Sequence, residues 1–207
     1  MSQHTWTEVS AFIAGFIRNP GRNGSLIPSS RSLTDAMIAG LPWDRIETLV
    51  ELGSGLGTFT GAIMAHARVG TRVILVEVNP DYAAHLDERY GERVIVERTS
   101  ATELDAILAR HGIERPDCII SGLPLASLPS AVSERIAGHI RHFIGLGTIY
   151  RSFTYCPART MRFFGDGVLD YQSPRIWSNF PPAVVLGAGV QHARRAMVSS
   201  PKLPSKR

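Results

Sequence analysis

Short runs of apolar, β-branched residues alternate with amphipathic segments from residue 47 onward, and this alternation limits the fold more than any other feature. The runs lack the polar alternation of a half-exposed sheet, so they are typical of a parallel sheet with both faces buried. The pattern therefore predicts a doubly wound α/β domain. The predicted strands are Thr48–Leu52, Arg72–Glu77, Arg93–Val96, Asp117–Ile120 and Thr148–Tyr155.

Helical segments are predicted between these strands. Asn79 is the expected N-cap of one helix, because Pro80 suits the first helical position. After the fourth strand, apolar residues recur at helical spacing from Val132 to Ile144, which predicts a helix that packs on the sheet. A closing hairpin is predicted between Val168–Tyr171 and Ala183–Leu186, and the other helices over Phe59–Arg68, Pro80–Tyr90 and Ala101–His111.

Residues 1–42 are predicted to form a helical extension, residues 43–190 the main domain and residues 191–207 a basic, flexible tail. The extension carries an apolar stripe that is followed by basic residues, and a second short helix with Ser29 or Ser30 as its N-cap. Such a stripe indicates either an interfacial helix on a membrane surface or a segment that covers the core. The expected membrane contacts are Trp6, Phe12, Phe16, Arg18 and Arg22.

The net charge of +4 arises in the tail. Five of the 22 basic residues lie in residues 191–207, which contain no acid, so the rest of the chain has 17 basic and 18 acidic residues. A nearly neutral body disfavours a nucleic-acid partner, which is usually gripped by a basic face. The tail itself could bind anionic lipid or nucleic acid, or nothing.

The sequence predicts a cytoplasmic protein that reaches a membrane only from its surface. It has two cysteines without metal or redox spacing, no apolar run of about 20 residues and no leader segment. His139 and His142 lie one helical turn apart, but a third ligand is missing, so no metal is predicted.

A glycine-rich loop follows the first predicted strand, over Glu51–Gly57. Glycines at alternate positions let the backbone turn tightly and approach a ligand closely. The spacing differs from the G-x-G-x-x-G of dinucleotide enzymes, and the acid Glu51 before the glycines suits a cationic ammonium group. Glu77 ends the second strand, where an acid can bind both ribose hydroxyls. The third strand leads to Thr99–Ala101 and the fourth to Ser121–Pro124, so all these residues lie at one sheet edge.

On these residues the chain resembles the class I S-adenosylmethionine methyltransferases over about residues 45–155. Within them it is most similar to the bacterial phospholipid N-methyltransferases, which convert phosphatidylethanolamine to phosphatidylcholine. That closer resemblance depends on several segments in order. They are the stripe ending in Arg18-Asn19-Pro20, then residues 24–30, Glu51–Gly57, Ser121–Pro124, Phe153-Thr154-Tyr155 and Asn179–Ala183.

The resemblance implies a Rossmann-like methyltransferase sheet with an N-terminal amphipathic extension, S-adenosylmethionine as the cofactor and S-adenosylhomocysteine as the product. It implies that the glycine loop holds the methionine moiety, that the end of the second strand holds the ribose, and that Ser100 and Ala101 border the adenine. Ser121 would lie beside the reactive methyl group. The implied cofactor residues are Glu51, Gly53, Ser54, Gly55, Gly57, Glu77, Val78, Asn79, Ser100, Ala101 and Ser121.

For catalysis the resemblance implies Ser121 and Leu123 beside the methyl group. The chemistry of methyl transfer adds an aromatic face, Tyr155, Phe153 or Tyr150, that could stabilise the methylated ammonium by cation–π attraction, and Tyr155 is the first candidate. Plain strand packing is an equal explanation for Tyr150 and Phe153. Family members often have a glutamine where this chain has Ser152. The expected acceptor-binding residues are Ser29, Ser30, Tyr150, Phe153 and Tyr155. The expected partner is a phospholipid membrane surface rich in anionic lipid, on the inner face of the membrane.

Two other functions fit parts of the sequence. An rRNA or DNA adenine N6-methyltransferase has an Asn/Asp-x-Pro-aromatic loop at the same strand end, which Ser121–Pro124 resembles. However, Ser121 replaces the amide or acid, and Leu125 follows the proline where the aromatic would stack. A non-catalytic, membrane-associated scaffold is the second alternative, but it would not need the intact glycine loop.

Overall fold

The computed structural model describes residues 30–179 and 181–189, which form a seven-stranded sheet with helices on both faces. The strands are β1 (Thr48–Leu52), β2 (Arg72–Val76), β3 (Ile95–Glu97), β4 (Cys118–Ser121), β5 (Ile149–Thr154), β6 (Tyr171–Gln172) and β7 (Val184–Ala188). The α-helices of these residues are α1 (Arg31–Ile38), α2 (Thr58–His66), α3 (Pro80–Tyr90), α4 (Leu104–Arg110), α5 (Ser130–Gly145) and α6 (Pro157–Met161).

The strand order is β3-β2-β1-β4-β5-β7-β6. Strands β1 to β5 are parallel, and β7 runs antiparallel between β5 and β6. The order reverses between β1 and β4, and open α/β sheets bind ligands at such a switch point, beyond the carboxyl ends of the strands. The predicted doubly wound α/β fold is confirmed.

The central strands are buried on both faces. Four of the five residues of β1 and all four of β4 are buried, in line with their continuous apolar sequences. Helices α1, α2 and α3 cover one face of the sheet, and α4 and α5 cover the other. The apolar face predicted for α5 is buried, including Val132, Ile136 and Ile140.

Helix α1 begins as the sequence predicts. The Oγ of Ser30 accepts a hydrogen bond from the backbone N–H of Leu33 at 3.2 Å, so Ser30 is its N-cap. Leu33 and Met37 are fully buried against side chains of α2, β5 and β7. Part of the predicted N-terminal extension therefore packs into the core, while the division of the chain at residue 42 stays a prediction.

The closing hairpin is shorter than predicted. Tyr171 and Gln172 alone form β6, opposite Gly187 and Leu186. The preceding segment turns at Gly165 and Gly167, whose φ angles are +75° and +77°, and this turn includes Val168, the first residue of the predicted strand. The predicted helix at Ala101–His111 also differs, because its first three residues form a 3₁₀ turn before α4.

Arg151 lies in the middle of β5 and is 1% exposed. Its guanidinium stacks over the Tyr171 ring at 4.0 Å from the ring centre, an attraction that grows when water is excluded. Residue 187, opposite Arg151 on β7, is a glycine, and a Cβ there would collide with the guanidinium. The arginine and the glycine therefore fit as a pair.

Candidate functional site

The glycine-rich loop leaves the carboxyl end of β1 and leads into α2. Gly53, Gly55 and Gly57 all have positive φ angles, of +70°, +55° and +82°, which side chains with a Cβ rarely adopt. The N–H of Gly53 donates to the carbonyl of Val76 at 2.8 Å, so the loop remains attached to β2. The sequence predicted this strand–loop–helix arrangement.

The glycine loop packs directly on the segment that follows β4. A Cβ at Gly53 would lie 2.5 Å from Cδ2 of Leu123, and a Cβ at Gly122 would lie 2.7 Å from the carbonyl oxygen of Gly53. By contrast, a Cβ at Gly55 would meet nothing within 4 Å. Close packing thus explains the glycines at 53 and 122, whereas Gly55 borders open space.

Glu51 is fully buried at the end of β1. Its Oε2 accepts a hydrogen bond from Oγ1 of Thr60 at 2.6 Å, while Oε1 has no hydrogen-bond partner among the described residues. Burial raises the pKa of this carboxyl from 4.5 to about 8, and the Thr60 hydrogen bond lowers it only in part. A cation placed beside Oε1 would favour the ionised form.

Glu77 lies just after β2 and connects two parts of the site. Its Oε2 accepts from the N–H of Gly55 at 2.8 Å, and its Oε1 accepts from the N–H of Asn79 at 2.8 Å. Burial raises the pKa of Glu77, and these backbone hydrogen bonds oppose the rise. Asn79 is the N-cap of α3, since its Oδ1 accepts from the N–H of Asp81 at 2.9 Å.

A pocket that is partly open to solvent lies at the carboxyl edge between β1, β2 and β4. It brings together six predicted site residues: Gly53, Glu77, Val78, Ser100, Ala101 and Leu123. Ser100 is positioned by its own turn, where its Oγ accepts from the N–H of Thr102 at 3.2 Å. The lining also includes Val76, Thr99, Leu128 and Ile136, which were not predicted as site residues.

Two of these four residues could hardly have been found from the sequence. Ile136 has the helical spacing of an ordinary core residue, and Leu128 lies in a loop without a motif. Thr99, in contrast, directly precedes Ser100, and the prediction of Ser100 could have indicated Thr99 as a site residue. The predicted residues Glu51, Ser54, Gly55, Gly57, Asn79 and Ser121 do not line this pocket, and they support it from the loop and strand ends.

The predicted acceptor residues differ in exposure. Ser121 is fully buried, opposite Ser152 of β5, and its Oγ accepts from the N–H of Leu123 at 3.3 Å. Tyr150 is also fully buried, with its ring 5.4 Å from that of Phe164. Tyr155, by contrast, is only partly buried. The structure thus leaves Tyr155 as the most accessible aromatic side chain among these predicted acceptor residues.

Phe153 lies between the rings of Phe59 and Tyr155, at 5.7 and 5.6 Å. It is 9% exposed and belongs to the core cluster beneath α1 and α2. Packing accounts for this position, and a contact of Phe153 or Tyr150 with an acceptor stays a prediction.

Asn179 is a buried polar residue that the sequence analysis did not assign to the site. Its Oδ1 accepts from the N–H of Ser30 at 3.0 Å, and its Nδ2 donates to the carbonyl of Pro181 at 2.8 Å. Burial raises the pKa of the Tyr155 hydroxyl, and the Asn179 side chain opposes that rise. Asn179 therefore contacts one predicted acceptor residue, Ser30, and its side chain influences the pKa of another, Tyr155.

Comparison with known proteins identifies the family. No protein-family profile matches the chain. The ornithine lipid N-methyltransferase of Singulisphaera acidiphila is 32% identical over 178 residues, which cover 83% of this chain and 91% of that protein. The chain belongs to the family of this lipid N-methyltransferase. It is a methyltransferase that depends on S-adenosylmethionine.

A second similarity is confined to part of the chain. The ribosomal RNA small subunit methyltransferase A of Burkholderia mallei is 36% identical over 92 residues, which are 44% of this chain and 34% of that protein. The two proteins are therefore similar in sequence over less than half of this chain and about a third of the rRNA methyltransferase.

Solved structures agree with the methyltransferase fold. The 1,6-didemethyltoxoflavin-N1-methyltransferase of Burkholderia thailandensis, with bound S-adenosylhomocysteine, has a TM-score of 0.60 at 18% identity. The similarity covers 91% of this chain and 90% of that one. TrmN of Thermus thermophilus has a TM-score of 0.58 at 15% identity, covering 85% of this chain and 53% of that one.

The site of this methyltransferase fits its cofactor in three respects. Ser100 and Ala101, the residues predicted to border the adenine, line the pocket, and the loop at Gly55 is open to a close ligand. Oε1 of Glu51 is buried without a hydrogen bond from any described residue, and an ammonium group would supply one. These observations agree with the predicted cofactor residues, whose individual roles stay predictions.

Within residues 30–179 and 181–189, no group of three or more His, Cys, Asp or Glu side chains could hold a metal ion. His139 has a structural partner set: its Nδ1 lies 2.9 Å from Oδ2 of Asp105 and its Nε2 lies 3.0 Å from the carbonyl oxygen of Thr102. In the same part of the chain, no helix is long and apolar enough to span a membrane.

Several predictions fall on residues outside those that the structure describes. The tail from 191 to 207 is one of them, and Ser29 of the predicted acceptor site is another. The predicted membrane contacts Trp6, Phe12, Phe16, Arg18 and Arg22 also lie outside the described residues.

Proposed function

We propose that the enzyme methylates the amine of a membrane lipid, and that its reaction is the conversion of phosphatidylethanolamine toward phosphatidylcholine at the membrane surface. The observation that carries this proposal is the similarity to a lipid N-methyltransferase along 91% of that protein's length. The resemblance to phospholipid N-methyltransferases supports phosphatidylethanolamine as the headgroup. The enzyme would act from the cytoplasmic side, bound to the inner membrane face through its N-terminal stripe.

In this proposal the glycine loop and Glu51 bind the methionine moiety, and Glu77 accepts hydrogen bonds from the ribose. The carboxyl of Glu77 already accepts one backbone N–H on each oxygen, and each oxygen has a further lone pair for a hydroxyl. Ser100 and Ala101 border the adenine. When bound, S-adenosylmethionine supplies an electrophilic methyl group on a sulfonium.

The protein's task in the transfer is alignment of a neutral amine and stabilisation of the cation that forms. Ser121 holds the Ser121–Pro124 loop through its hydrogen bond with the Leu123 N–H, and this loop borders the methyl position. Tyr155 would stabilise the methylated ammonium by cation–π attraction, which its partly exposed ring allows.

An ornithine lipid is the second candidate acceptor. The curated relative that spans most of the chain is named for that substrate, and at 32% identity the two proteins share a family but need not share a headgroup. Both lipids present an amine at a membrane surface, so the chemistry required of the site is the same.

Adenine methylation in nucleic acid is less well supported. The similar rRNA methyltransferase matches over only 92 residues. At the loop after β4, Leu125 is 3% exposed and lies in the core, so it offers no platform on which a flipped base could stack.

The decisive experiment incubates the full chain with labelled S-adenosylmethionine and three acceptors separately: phosphatidylethanolamine vesicles, ornithine-lipid vesicles and structured RNA. We expect label in the phosphatidylethanolamine fraction. Label in the ornithine lipid alone would mean that ornithine lipid, and not phosphatidylethanolamine, is the acceptor. Label in RNA alone would overturn the proposal.

A further inference from the structure

One surface at the carboxyl edge of the sheet is not used by the proposed reaction. Helix α6 directly follows β5, and the loop between β6 and β7 contains the described residues 173–179 and 181–183. Because β7 is antiparallel to β5 and Val184 pairs with Thr154, this loop lies at the end of β5 where the chain leaves toward α6. Both segments therefore share the edge that carries the glycine loop and the Ser121–Pro124 loop.

Large apolar side chains are exposed on these segments. Trp177 is 77% exposed in the loop, and Met161 is 40% exposed at the end of α6. A tryptophan combines a large apolar surface with an N–H donor, and such residues are enriched where one end meets lipid and the other water. Because single exposed apolar residues are common on soluble proteins, Trp177 indicates a partner only in combination with the charged residues on the same segments.

Three exposed arginines accompany them. Arg159 and Arg162 lie on and just after α6, and Arg175 lies two residues before Trp177. Within the part of the chain that the structure describes, none of the three forms an ion pair, whereas Arg98, Arg110 and Arg141 each pair with a carboxylate. We call Arg159, Met161, Arg162, Arg175 and Trp177 the edge patch.

Nearby acids do not neutralise this patch. Residues 156–183 contain two, Asp166 and Asp170. The N–H of Asp170 donates to the carbonyl of Gly187, toward the opposite end of β7, so this residue lies away from the loop tip. Asp166 is exposed after α6, and no ion pair of the described residues joins it to Arg159, Arg162 or Arg175.

The loop that carries Trp177 is held in place. Ile176 and Ala183 exchange backbone hydrogen bonds, with N···O distances of 2.7 and 3.3 Å, and so close the loop. Asn179 then ties it to the start of α1 through its hydrogen bond with the Ser30 N–H. A fixed loop can present its tryptophan without a further loss of conformational entropy on binding.

We infer that the edge patch docks on an anionic lipid bilayer, with Trp177 at the headgroup level and the arginines on lipid phosphates. The inference rests on the proposed lipid acceptor and adds a contact distinct from the N-terminal stripe. Charge complementarity favours a bilayer, because cations near an anionic leaflet are attracted while the nearly neutral body gives no extended basic face for RNA. Docking through this edge would bring the acceptor side of the site to the membrane.

The test is co-sedimentation of the full chain with phosphatidylglycerol-containing vesicles, comparing wild type with Trp177→Ala and Arg175→Gln. We expect partition to fall about tenfold for Trp177→Ala and about fivefold for Arg175→Gln, with the arginine effect reduced by salt. S-adenosylhomocysteine affinity and melting temperature should stay at wild-type values in both variants.

Matched controls come from the opposite edge. Val69→Ala removes a fully exposed apolar side chain between α2 and β2, and Arg93→Gln removes an exposed charge after α3. Both should bind vesicles as wild type does. Equal binding of Trp177→Ala and wild type, or no binding by wild type, would each overturn the inference.

A separate assay distinguishes this inference from the proposed function. Activity on an acceptor lipid dispersed in detergent micelles does not need a bilayer, so Trp177→Ala should retain it. If wild type methylates no lipid even in micelles, the proposed acceptor is wrong whatever the vesicle result. If micellar activity is normal and vesicle binding does not depend on Trp177, only the docking surface is wrong.

Discussion

The cofactor half of the catalytic edge and its acceptor half hold their polar groups in different ways. In the cofactor half, Glu51 and Glu77 are at most 1% exposed, and their contacts are with residues close in the chain or on adjacent strands. In the acceptor half, Asn179 contacts the backbone of Ser30, which is 149 residues away in the chain. The polar groups of the cofactor half are tightly packed, whereas the acceptor half is assembled from segments that are distant in the chain. We therefore expect substitutions in the cofactor half to reduce activity more than substitutions in the acceptor half.

The largest effect should come from Gly122→Ala, where the two loops of the cofactor half meet. The new Cβ would lie 2.7 Å from the backbone oxygen of Gly53, so the loops must separate. Misplacement of a catalytic group by about 1 Å can reduce the rate about 100-fold. We expect kcat/KM to fall by about that factor, measured with labelled cofactor and lipid.

The matched control is Gly138→Ala in α5, where the nearest atom to a new Cβ is 3.8 Å away. Alanine should stabilise this helix by about 0.5–1 kcal/mol and leave activity unchanged. Normal activity of Gly122→Ala would mean that the contact between the loops is not needed for catalysis.

Glu51→Gln should have the second-largest effect, and its effect on the free energy of unfolding should depend on pH. The carboxyl has a pKa of about 8 in the folded, cofactor-free protein and an ordinary value of 4.5. Between these values the folded protein keeps a proton that the unfolded chain has lost. Glu51 therefore reduces the free energy of unfolding as the pH rises from about 4.5 to about 8, and the loss is complete above that range.

Glutamine cannot ionise, so Glu51→Gln should remove this pH dependence and be more stable than wild type at pH 8.5 in denaturant unfolding. The same variant should bind S-adenosylmethionine about tenfold more weakly, because the carboxylate no longer attracts the ammonium. Glu47→Gln, at an exposed carboxyl before β1, serves as the control. Parallel stability curves for Glu51→Gln and wild type would refute the buried-proton explanation.

Asn179→Ala tests the acceptor half. The substitution leaves the Ser30 N–H without its side-chain acceptor and removes the amide that opposes the raised pKa of the Tyr155 hydroxyl. We expect a loss of about 1–3 kcal/mol in the free energy of unfolding and a rise of roughly fivefold in the KM for lipid. The dissociation constant of S-adenosylhomocysteine should not change.

The neighbouring Ser178→Ala is an exposed control for the same loop. If Asn179→Ala weakened cofactor binding as much as lipid binding, the separation of the site into two halves would be incorrect.

The two halves also differ in how far the sequence predicts them. Strand β1 and helix α3 have the predicted bounds, because a continuous apolar run and the Asn79-Pro80 start are local signals. The glycine loop with its flanking acids was predicted for the same reason. Asn179 was not assigned to the site, because its partner Ser30 is 149 residues away and no local sequence pattern predicts the contact.

The burial of particular polar residues is a second feature of the structure that could not be predicted from the sequence. Arg151 in β5 is buried because Tyr171 and a glycine on the neighbouring strand accommodate it. Those neighbours are brought together only by the strand order, which places β7 between β5 and β6.

Tyr150→Phe should have the smallest effect and sharpens the boundary of the acceptor half. The Tyr150 hydroxyl is fully buried, and the Ser121 and Ser152 hydroxyls lie near it without forming a hydrogen bond of normal geometry. Removing an unsatisfied buried hydroxyl should leave stability unchanged or raise it by about 1 kcal/mol. If Tyr150 only packs in the core, kcat/KM should change less than about twofold. A tenfold loss with normal stability would instead make its hydroxyl part of the acceptor site, and would extend that site into the interior of β5.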